Sequence, residues 1–404
     1  MVSGIEQSEP DVRDPSSNGT SESKPENYTS KLSADQTVNL DFGDPTLYEE
    51  YWKKMENKCD TVIPGSSSVS YFSDTKNFCW FLEPELETQI RKLHSIVGNA
   101  AIEGYHIVVG VGSSQLLSSA LYALCPKDTP EPISVVSAVP YYSPYPALVD
   151  HLQSRLYKWA GDANTFNGEK PYIEIVCSPN NPDGLIKQAV VNKIGGKEIH
   201  DLAYYWPQYT AITAPADHDL MLFTASKLTG HAGSRIGWAL VRDEKVAKQM
   251  VKYSEITSIG VSKDAQIRIA QILDFLSHTC SPDHPIESVF DFGLRRMTER
   301  WDRLRDAIFE ANLSGVLRLP EFPENLCRHF KVQNRARPAF AWIECRADEI
   351  EDLESFLRAE RVLTRNGKSF GSTAKHARVS MVGDDATFHR FIHKLSAINI
   401  NKQN

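Results

Sequence analysis

The sequence is short of the features that mark exported, membrane-spanning or nucleic-acid-binding proteins. No run approaches the ~20 consecutive apolar residues of a membrane-crossing helix, so no span is expected. Cysteines are few: Cys59, Cys79, Cys125, Cys177, Cys280, Cys327 and Cys345 are scattered, odd in number and free of any CxxC pair. That argues against a disulfide framework and against a zinc site, and suits reduced thiols. Basic residues are the minority, 44 Lys and Arg against 52 Asp and Glu, for a net charge of −8. Nucleic acid and anionic membranes are therefore not expected as partners. A small anionic ligand is still possible, because a pocket can be positive on an acidic protein. The opening MVSGIEQSEPDVRDP has neither a basic start nor an apolar core, so no secretory signal is read and a cytoplasmic location is expected. The sequons at Asn18, Asn27 and Asn312 are accordingly read as chance.

What is present is ordinary for a globular protein of 404 residues, 41% hydrophobic and 24% charged, long enough for two or three domains. Residues 1 to 36, rich in Ser, Glu, Asp, Pro and Asn, hold too little apolar surface to fold, and a disordered tail is expected there. Asp44-Pro45 reads as a helix start, with Asp at the cap and Pro at the first helical position. Tyr48, Tyr51, Trp52 and Met55 would supply its apolar face.

Beyond residue 85 strand and helix patterns alternate. Tyr105–Gly110, Ile133–Ala138, Tyr172–Cys177 and Asp219–Ser226 are short, nearly continuous apolar runs. Such runs suit a mostly parallel sheet covered on both faces. Gln115–Cys125 and the stripe Leu294-Met297-Trp301-Leu304-Ile308 have helical spacing. Strands over Phe340–Cys345 and Ala377–Met381 around a helix at Glu351–Ala359 suggest a smaller α/β unit. The fold class is α/β, a mostly parallel sheet in a large domain plus a smaller α/β domain.

Four segments could carry chemistry. Gly110-Val111-Gly112-Ser113-Ser114 follows a strand and opens a helix, where free N–H groups favour an anion. It lacks the third glycine of a dinucleotide fingerprint and the Gly-Lys-Ser/Thr of a Walker loop. A plain strand-to-helix turn explains it equally well. Ser178-Pro179-Asn180-Asn181-Pro182-Asp183-Gly184 follows the YIEIVC strand and would present Asn181 at a strand end, or be only a rigid turn. In His200-Asp201-Leu202-Ala203-Tyr204, an Asp with a phenol three residues on could pair with a cationic heterocycle, or merely cap a helix; His200 reads as structural. Last, Ser226-Lys227 follows an apolar strand and enters a small-residue loop that ends at Arg235, eight positions on. A buried lysine must be paired, deprotonated or modified, and Arg235 offers a planar fork for a phosphate.

In that order the four segments resemble the pyridoxal-phosphate enzymes of fold type I. The longer stretches LDFGDPTLYEEYWKKM, SYFSDTKNFCWFLEPELE, SPNNPDG, HDLAYYWPQYT, LFTASKLTGHAGSRIGWALV and RNGKSFGSTAKHARVSM resemble the plant family of tryptophan aminotransferases and alliinases, from about residue 38 onward. The cysteine-rich N-terminal module of alliinases is absent, which places the chain nearer the tryptophan aminotransferase branch. That branch supplies indole-3-pyruvate for auxin synthesis.

The resemblance implies pyridoxal 5'-phosphate as cofactor and no metal. It implies a Schiff base on Lys227, with Asp201 against the pyridine nitrogen, Asn181 and Tyr204 on the ring hydroxyl, and Tyr142 stacked on the ring. Gly112, Ser113, Ser114, Ser226 and Arg235 would hold the phosphate, with Thr224 in support. Arg378 would clamp the substrate α-carboxylate beside Gly43, Asn181 and Phe42. Phe42 departs from the histidine expected in the auxin enzymes, a departure that bears on donor choice. Tyr71 would reach the site of a neighbouring subunit, so a homodimer with shared active sites is implied. Tyr71, Phe72, Trp80, Phe81 and Tyr205 would suit an aromatic donor, with a 2-oxo acid such as pyruvate as acceptor. The resemblance also implies a division into the tail 1–36, an N-terminal part of the small domain over 37–84, a large cofactor domain over 85–290 and the rest of the small domain over 291–404. An alliinase-like carbon–sulfur lyase and a noncatalytic homologue are the alternatives.

Overall fold

The computed structural model describes residues 36–126, 128, 130–168, 171–281 and 284–398. The tail expected over residues 1 to 36 lies, Gln36 apart, outside them. The described chain opens with a two-residue strand, β1 (Val38–Asn39), and a short 3-10 turn over Thr46–Tyr48 that runs into helix α1 (Glu49–Met55). This corrects the expected helix start. Pro45 occupies the cap position and makes no side-chain cap bond, so Asp44 does not cap the helix.

Helix α2 (Pro84–Val97) has Pro at its start and Gly98 in the left-handed region at its end, where the Gly98 N–H bonds to the His94 carbonyl. There follow β2 (His106–Val111), α3 (Gly112–Leu124), β3 (Ile133–Ser137), α4 (Tyr145–Asp150), β4 (Tyr157–Asp162), β5 (Tyr172–Cys177), β6 (Lys197–Asp201) and β7 (Leu220–Thr224). A single helical turn, α5 (Ala225–Leu228), precedes β8 (Ile236–Val241). The strand expected over Tyr172–Cys177 is found with those bounds, the other three are shifted or trimmed by one or two residues, and Ala225 and Ser226 belong to α5 rather than to a strand.

These strands form one seven-stranded sheet in the order β2-β8-β7-β6-β5-β3-β4. β8 is antiparallel to both its neighbours, and every other pairing is parallel. All residues of β5, β7 and β8 are buried, as strands covered on both faces must be. Helix α6 (Glu244–Ser258) packs on α3, and α7 (Lys263–Thr279) packs on α2. Asp243 and Ser262 cap them by accepting backbone N–H bonds. Below the sheet Trp206, Phe223 and Trp238 pack around His94, whose Nε2 accepts from the Trp238 indole at 3.0 Å. Truncating Trp238, fully buried, would cost about 3–5 kcal/mol.

The long α8 (Val289–Glu310) buries Met297, Trp301, Leu304 and Ile308 of the stripe read from the sequence and leaves Leu294 half-buried. After it come β9 (Leu317–Arg318), the hairpin β10 (Glu324–Cys327) and β11 (Val332–Arg335), β12 (Phe340–Cys345), α9 (Leu353–Ala359), β13 (Val362–Leu363), β14 (Arg365–Asn366), β15 (His376–Ser380) and α10 (Asp385–Ala397). β14-β15-β12-β9 form an antiparallel sheet. β1 pairs in parallel with β13, and the Ser380 N–H bonds to the Leu40 carbonyl. The segment ahead of α1 is thereby threaded onto the C-terminal sheet, which carries residues 41–43 to the site. Among the described residues no helix is long and apolar enough to cross a membrane. All seven cysteines are free.

Candidate active site

Five neighbouring strands, β2-β8-β7-β6-β5, end or begin along one edge of the sheet. The parallel strands point their C-terminal ends there, and β8, running the other way, starts there. The four segments singled out in the sequence thus lie side by side: Ser113 after β2, Arg235 before β8, Lys227 after β7, Asp201 at the end of β6 and Asn181 after β5. Ligands of open α/β sheets bind at this edge. The pocket is lined by Ser113, Ser114, Tyr142, Cys177, Asn181, Asp201, Ala203, Tyr204, Thr224, Ser226, Lys227, Ala232 and Arg235.

At one end sits an anion cradle. Gly112 has φ +70°, and a Cβ there would lie 2.3 Å from Arg235 Nη2. The turn therefore needs glycine both for its backbone angle and for its closeness to the guanidinium. Gly237, where a Cβ would strike the backbone of Phe223, Gly112 and Ser113, lets β8 approach equally closely. Arg235 itself holds the left-handed conformation (φ 51°), unusual for a side-chain-bearing residue, and donates through Nη1 to the Ala232 carbonyl at 3.0 Å. Thr224 Oγ1 accepts from the Ser226 N–H at 3.2 Å, capping the one-turn helix that presents Ser226 and Lys227.

Lys227 Nζ donates to the Gly43 carbonyl at 2.7 Å and stands 5.9 Å from the centre of the Tyr204 ring. Burial, then the charges of Arg378 and Arg235, lower its pKa to about 8 against an opposing pull from Asp44. Gly43 has no room for a side chain, since a Cβ would lie 2.6 Å from Phe340.

Asp201 is buried. Its Oδ2 accepts from the Tyr145 hydroxyl at 2.9 Å and its Oδ1 from the Ala203 N–H at 3.2 Å. Burial raises its pKa, and those two bonds oppose the rise. Tyr142 meets Tyr145 edge-on at 5.3 Å. Burial raises the pKa of both Tyr142 and Tyr204, so the two phenols stay protonated.

At the far end Arg378, on β15 and 3% exposed, lies over Phe340 at 4.1 Å. Its Nη1 donates to Asn181 Oδ1 at 3.0 Å and its Nη2 to the Asp41 carbonyl at 2.5 Å, while Nε is buried without a partner. Burial lowers its pKa to about 10. A buried guanidinium with no carboxylate partner among the described residues is suited to receive one from solution.

Two expected site residues stand apart from the pocket of their own chain. Phe42 is 64% exposed beside Gly43, and Tyr71 is 71% exposed. The expected aromatic wall is corrected: Phe72, Trp80, Phe81 and Tyr205 do not line the pocket. Phe81 is core, Trp80 packs between it and Phe72, and the Tyr205 hydroxyl donates to the Ala214 carbonyl. His200 also points elsewhere. It stacks on His218 at 3.5 Å and bonds to Glu198. These three residues bring ligand atoms within 4.8 Å of one another, but the two ring planes lie parallel, and a shared ion would have to lie in both. Tyr145, Asp41, Arg365 and Phe340 were not singled out from the sequence.

Set beside known proteins, residues 38–399 match the family model described as allinase. The rice (Oryza sativa subsp. japonica) tryptophan aminotransferase-related protein 2 is 51% identical over 381 residues, 91% of this chain and 74% of that protein. Alliin lyase 1 of Allium sativum is 33% identical over 362 residues, 87% of this chain and 73% of that protein. An aminotransferase structure from Staphylococcus aureus superposes with a TM-score of 0.62 at 18% identity, over 93% of this chain and 96% of that one.

Proposed function

The chain belongs to the allinase family and has the fold of the fold-type I aminotransferases, and on that premise we propose that it is a pyridoxal-phosphate-dependent aminotransferase that moves the amino group of tryptophan, or another aromatic amino acid, to pyruvate. The products would be indole-3-pyruvate and alanine, the former feeding auxin synthesis. The greater identity to a tryptophan aminotransferase-related protein than to an alliin lyase supports transamination over carbon–sulfur cleavage. The observation that carries the reading is the alignment of an anion cradle, an enclosed lysine and a buried carboxylate along one sheet edge, met from the C-terminal sheet by Arg378, an arginine with no carboxylate partner among the described residues.

The pocket residues fit pyridoxal phosphate in three respects. Gly112 and Arg235 leave a cradle that a Cβ would fill. Lys227 lacks a carboxylate partner among the described residues, and Asp201 is a buried acceptor facing the pocket. When bound, the cofactor supplies an aldehyde for the amino group and a ring that accepts the electron pair released at the substrate α-carbon.

Arg235, Ser113, Ser114 and Ser226 would hold the phosphate through charge-assisted hydrogen bonds, with Gly112 admitting it. Asp201 would keep a proton on the ring nitrogen, and the Tyr145 hydroxyl bond favours its ionised form against burial. Asn181 and Tyr204 would address the ring hydroxyl, and Tyr142 the ring face. Arg378 binds the α-carboxylate and so fixes which bond at the α-carbon is exposed. Lys227, with a pKa brought down to about 8, would be the group that takes the proton from the substrate α-carbon. Before the cofactor is bound, the Gly43 carbonyl holds the Lys227 amine.

Tyr71, with Phe72 and Val69, forms an exposed apolar stretch, which supports its meeting a second copy of the chain and reaching that copy's site. A cytoplasmic homodimer is the proposed state. Borohydride reduction followed by peptide mass mapping tests the assignment. The cofactor is expected on Lys227, and a colourless protein that takes up none would contradict the reading.

A further inference from the structure

Arg365 stands beside the carboxylate end of the pocket without a part in the reaction as described. It lies on β14 directly opposite Arg378 on β15, so both side chains rise on one face of the sheet. Arg378 has no carboxylate partner among the described residues, but Arg365 has one. Its Nε and Nη2 meet Asp41 Oδ1 and Oδ2 at 2.5 and 3.1 Å, fork on fork. Its Nη1 donates to the Ser143 hydroxyl at 3.2 Å, next to Tyr142. Asp41 meanwhile gives its backbone carbonyl to Arg378 Nη2. One residue thus touches both arginines, with its carboxylate on one and its carbonyl on the other. The Arg365 and Asp41 side chains are 29% and 28% exposed, so a dissolved carboxylate can reach the pair.

We propose that Asp41 stands in for a second substrate carboxylate: by occupying Arg365 it restricts the site to amino and 2-oxo acids with one carboxylate and turns away dicarboxylic ones. The proposal rests on the aminotransferase reading and specifies the class of acceptor. A dicarboxylic acid would have to break a two-bond ion pair and then face the displaced charge of Asp41. An acid with one carboxylate meets neither cost. Asp41 is also held in place by the chain, so it competes without losing the translational freedom that a solute must give up.

The test uses the full-length protein loaded with pyridoxal phosphate, tryptophan as donor, and pyruvate or 2-oxoglutarate as acceptor. The readout is the ratio of kcat/KM for the two acceptors. Asp41→Ala is expected to lower the preference for pyruvate by about tenfold or more, the effect of one charge-assisted hydrogen bond. Asp41→Asn, which keeps the size, should act in the same direction. Adding Arg365→Gln to either variant should restore the wild-type ratio. Calorimetry with two unreactive probes gives an independent reading: glutarate should bind more tightly to Asp41→Ala than to wild type, with butyrate little changed, and the gain should vanish with Arg365→Gln. The proposal is overturned if turnover with pyruvate persists while the ratio and glutarate binding stay put, or if the gain survives loss of Arg365. If the wild type transaminates neither acceptor and binds neither tryptophan nor butyrate, the aminotransferase reading itself fails and takes this proposal with it.

Discussion

Lys227 Nζ rests 2.7 Å from the carbonyl oxygen of Gly43, and no carboxylate among the described residues pairs with it. A carbonyl can hold the ammonium but cannot neutralise it. Burial, then the charges of Arg378 and Arg235, bring the Lys227 pKa down to about 8 against the pull of Asp44. The amine is mostly neutral above that pH and mostly charged below it. The rate at which cofactor-free protein captures pyridoxal phosphate is therefore expected to rise with pH and level off above about 8. A rate that climbs steadily past pH 10 would show an ordinary surface amine. Lys227→Ala should lower kcat by about 10²–10⁴-fold, the range for removal of a proton-transfer group.

Arg378 is the second-largest cause of the low Lys227 pKa after burial. Arg378→Gln removes a like charge, so the capture profile should move to higher pH. The same variant should raise the donor KM by about tenfold or more, since one charge-assisted pair is lost. Steady-state kinetics beside the capture profile test both effects. A raised KM with an unmoved profile would leave Arg378 as a carboxylate clamp without electrostatic reach to Lys227.

Tyr145→Phe isolates the support of Asp201. The Tyr145 hydroxyl bond lowers the Asp201 pKa against burial. Without it the carboxyl should protonate at higher pH. The acidic limb of the kcat/KM profile is then expected to move up by about one unit, equivalent to about 1.4 kcal/mol. An unmoved limb would mean that Tyr145 only packs.

Gly112→Ala should weaken cofactor binding without unfolding the sheet. The variant meets a φ of +70° and a contact of 2.3 Å to Arg235 Nη2. The Cβ would push the Arg235 guanidinium out of the cradle, so about a tenfold rise in the cofactor Kd, the loss of about one charge-assisted hydrogen bond, is expected by equilibrium titration. An unchanged Kd would place the phosphate elsewhere.

The sheet was legible because its strands are covered on both faces. YIEIVC and the LMLFT core of DLMLFTAS read as buried runs and are buried throughout. The ends of DLMLFTAS were not, because Thr224 turns the chain into a capped helical turn before Lys227, whereas YIEIVC matches its strand from end to end. The pocket motifs were legible because each sits on a short turn with its own chemistry. Asp41 and Arg365 were not. They are 324 positions apart, and nothing local in either marks an ion pair. Tyr145 looked like one more aromatic in PYYSPYP until helix α4 set it against Asp201. The aromatic wall failed for the opposite reason: Phe81 and Tyr205 suit a core as well as a pocket, and the core took them.

The central claim is transamination of an aromatic amino acid, and the direct measurement is the product balance with tryptophan and pyruvate. Purified protein is expected to form alanine and indole-3-pyruvate in equal amounts, and Lys227→Ala to form both about 10²–10⁴-fold more slowly. Release of pyruvate and a sulfenate from an alkyl-cysteine sulfoxide, with no alanine formed from tryptophan and pyruvate, would contradict it and assign the pocket to carbon–sulfur cleavage.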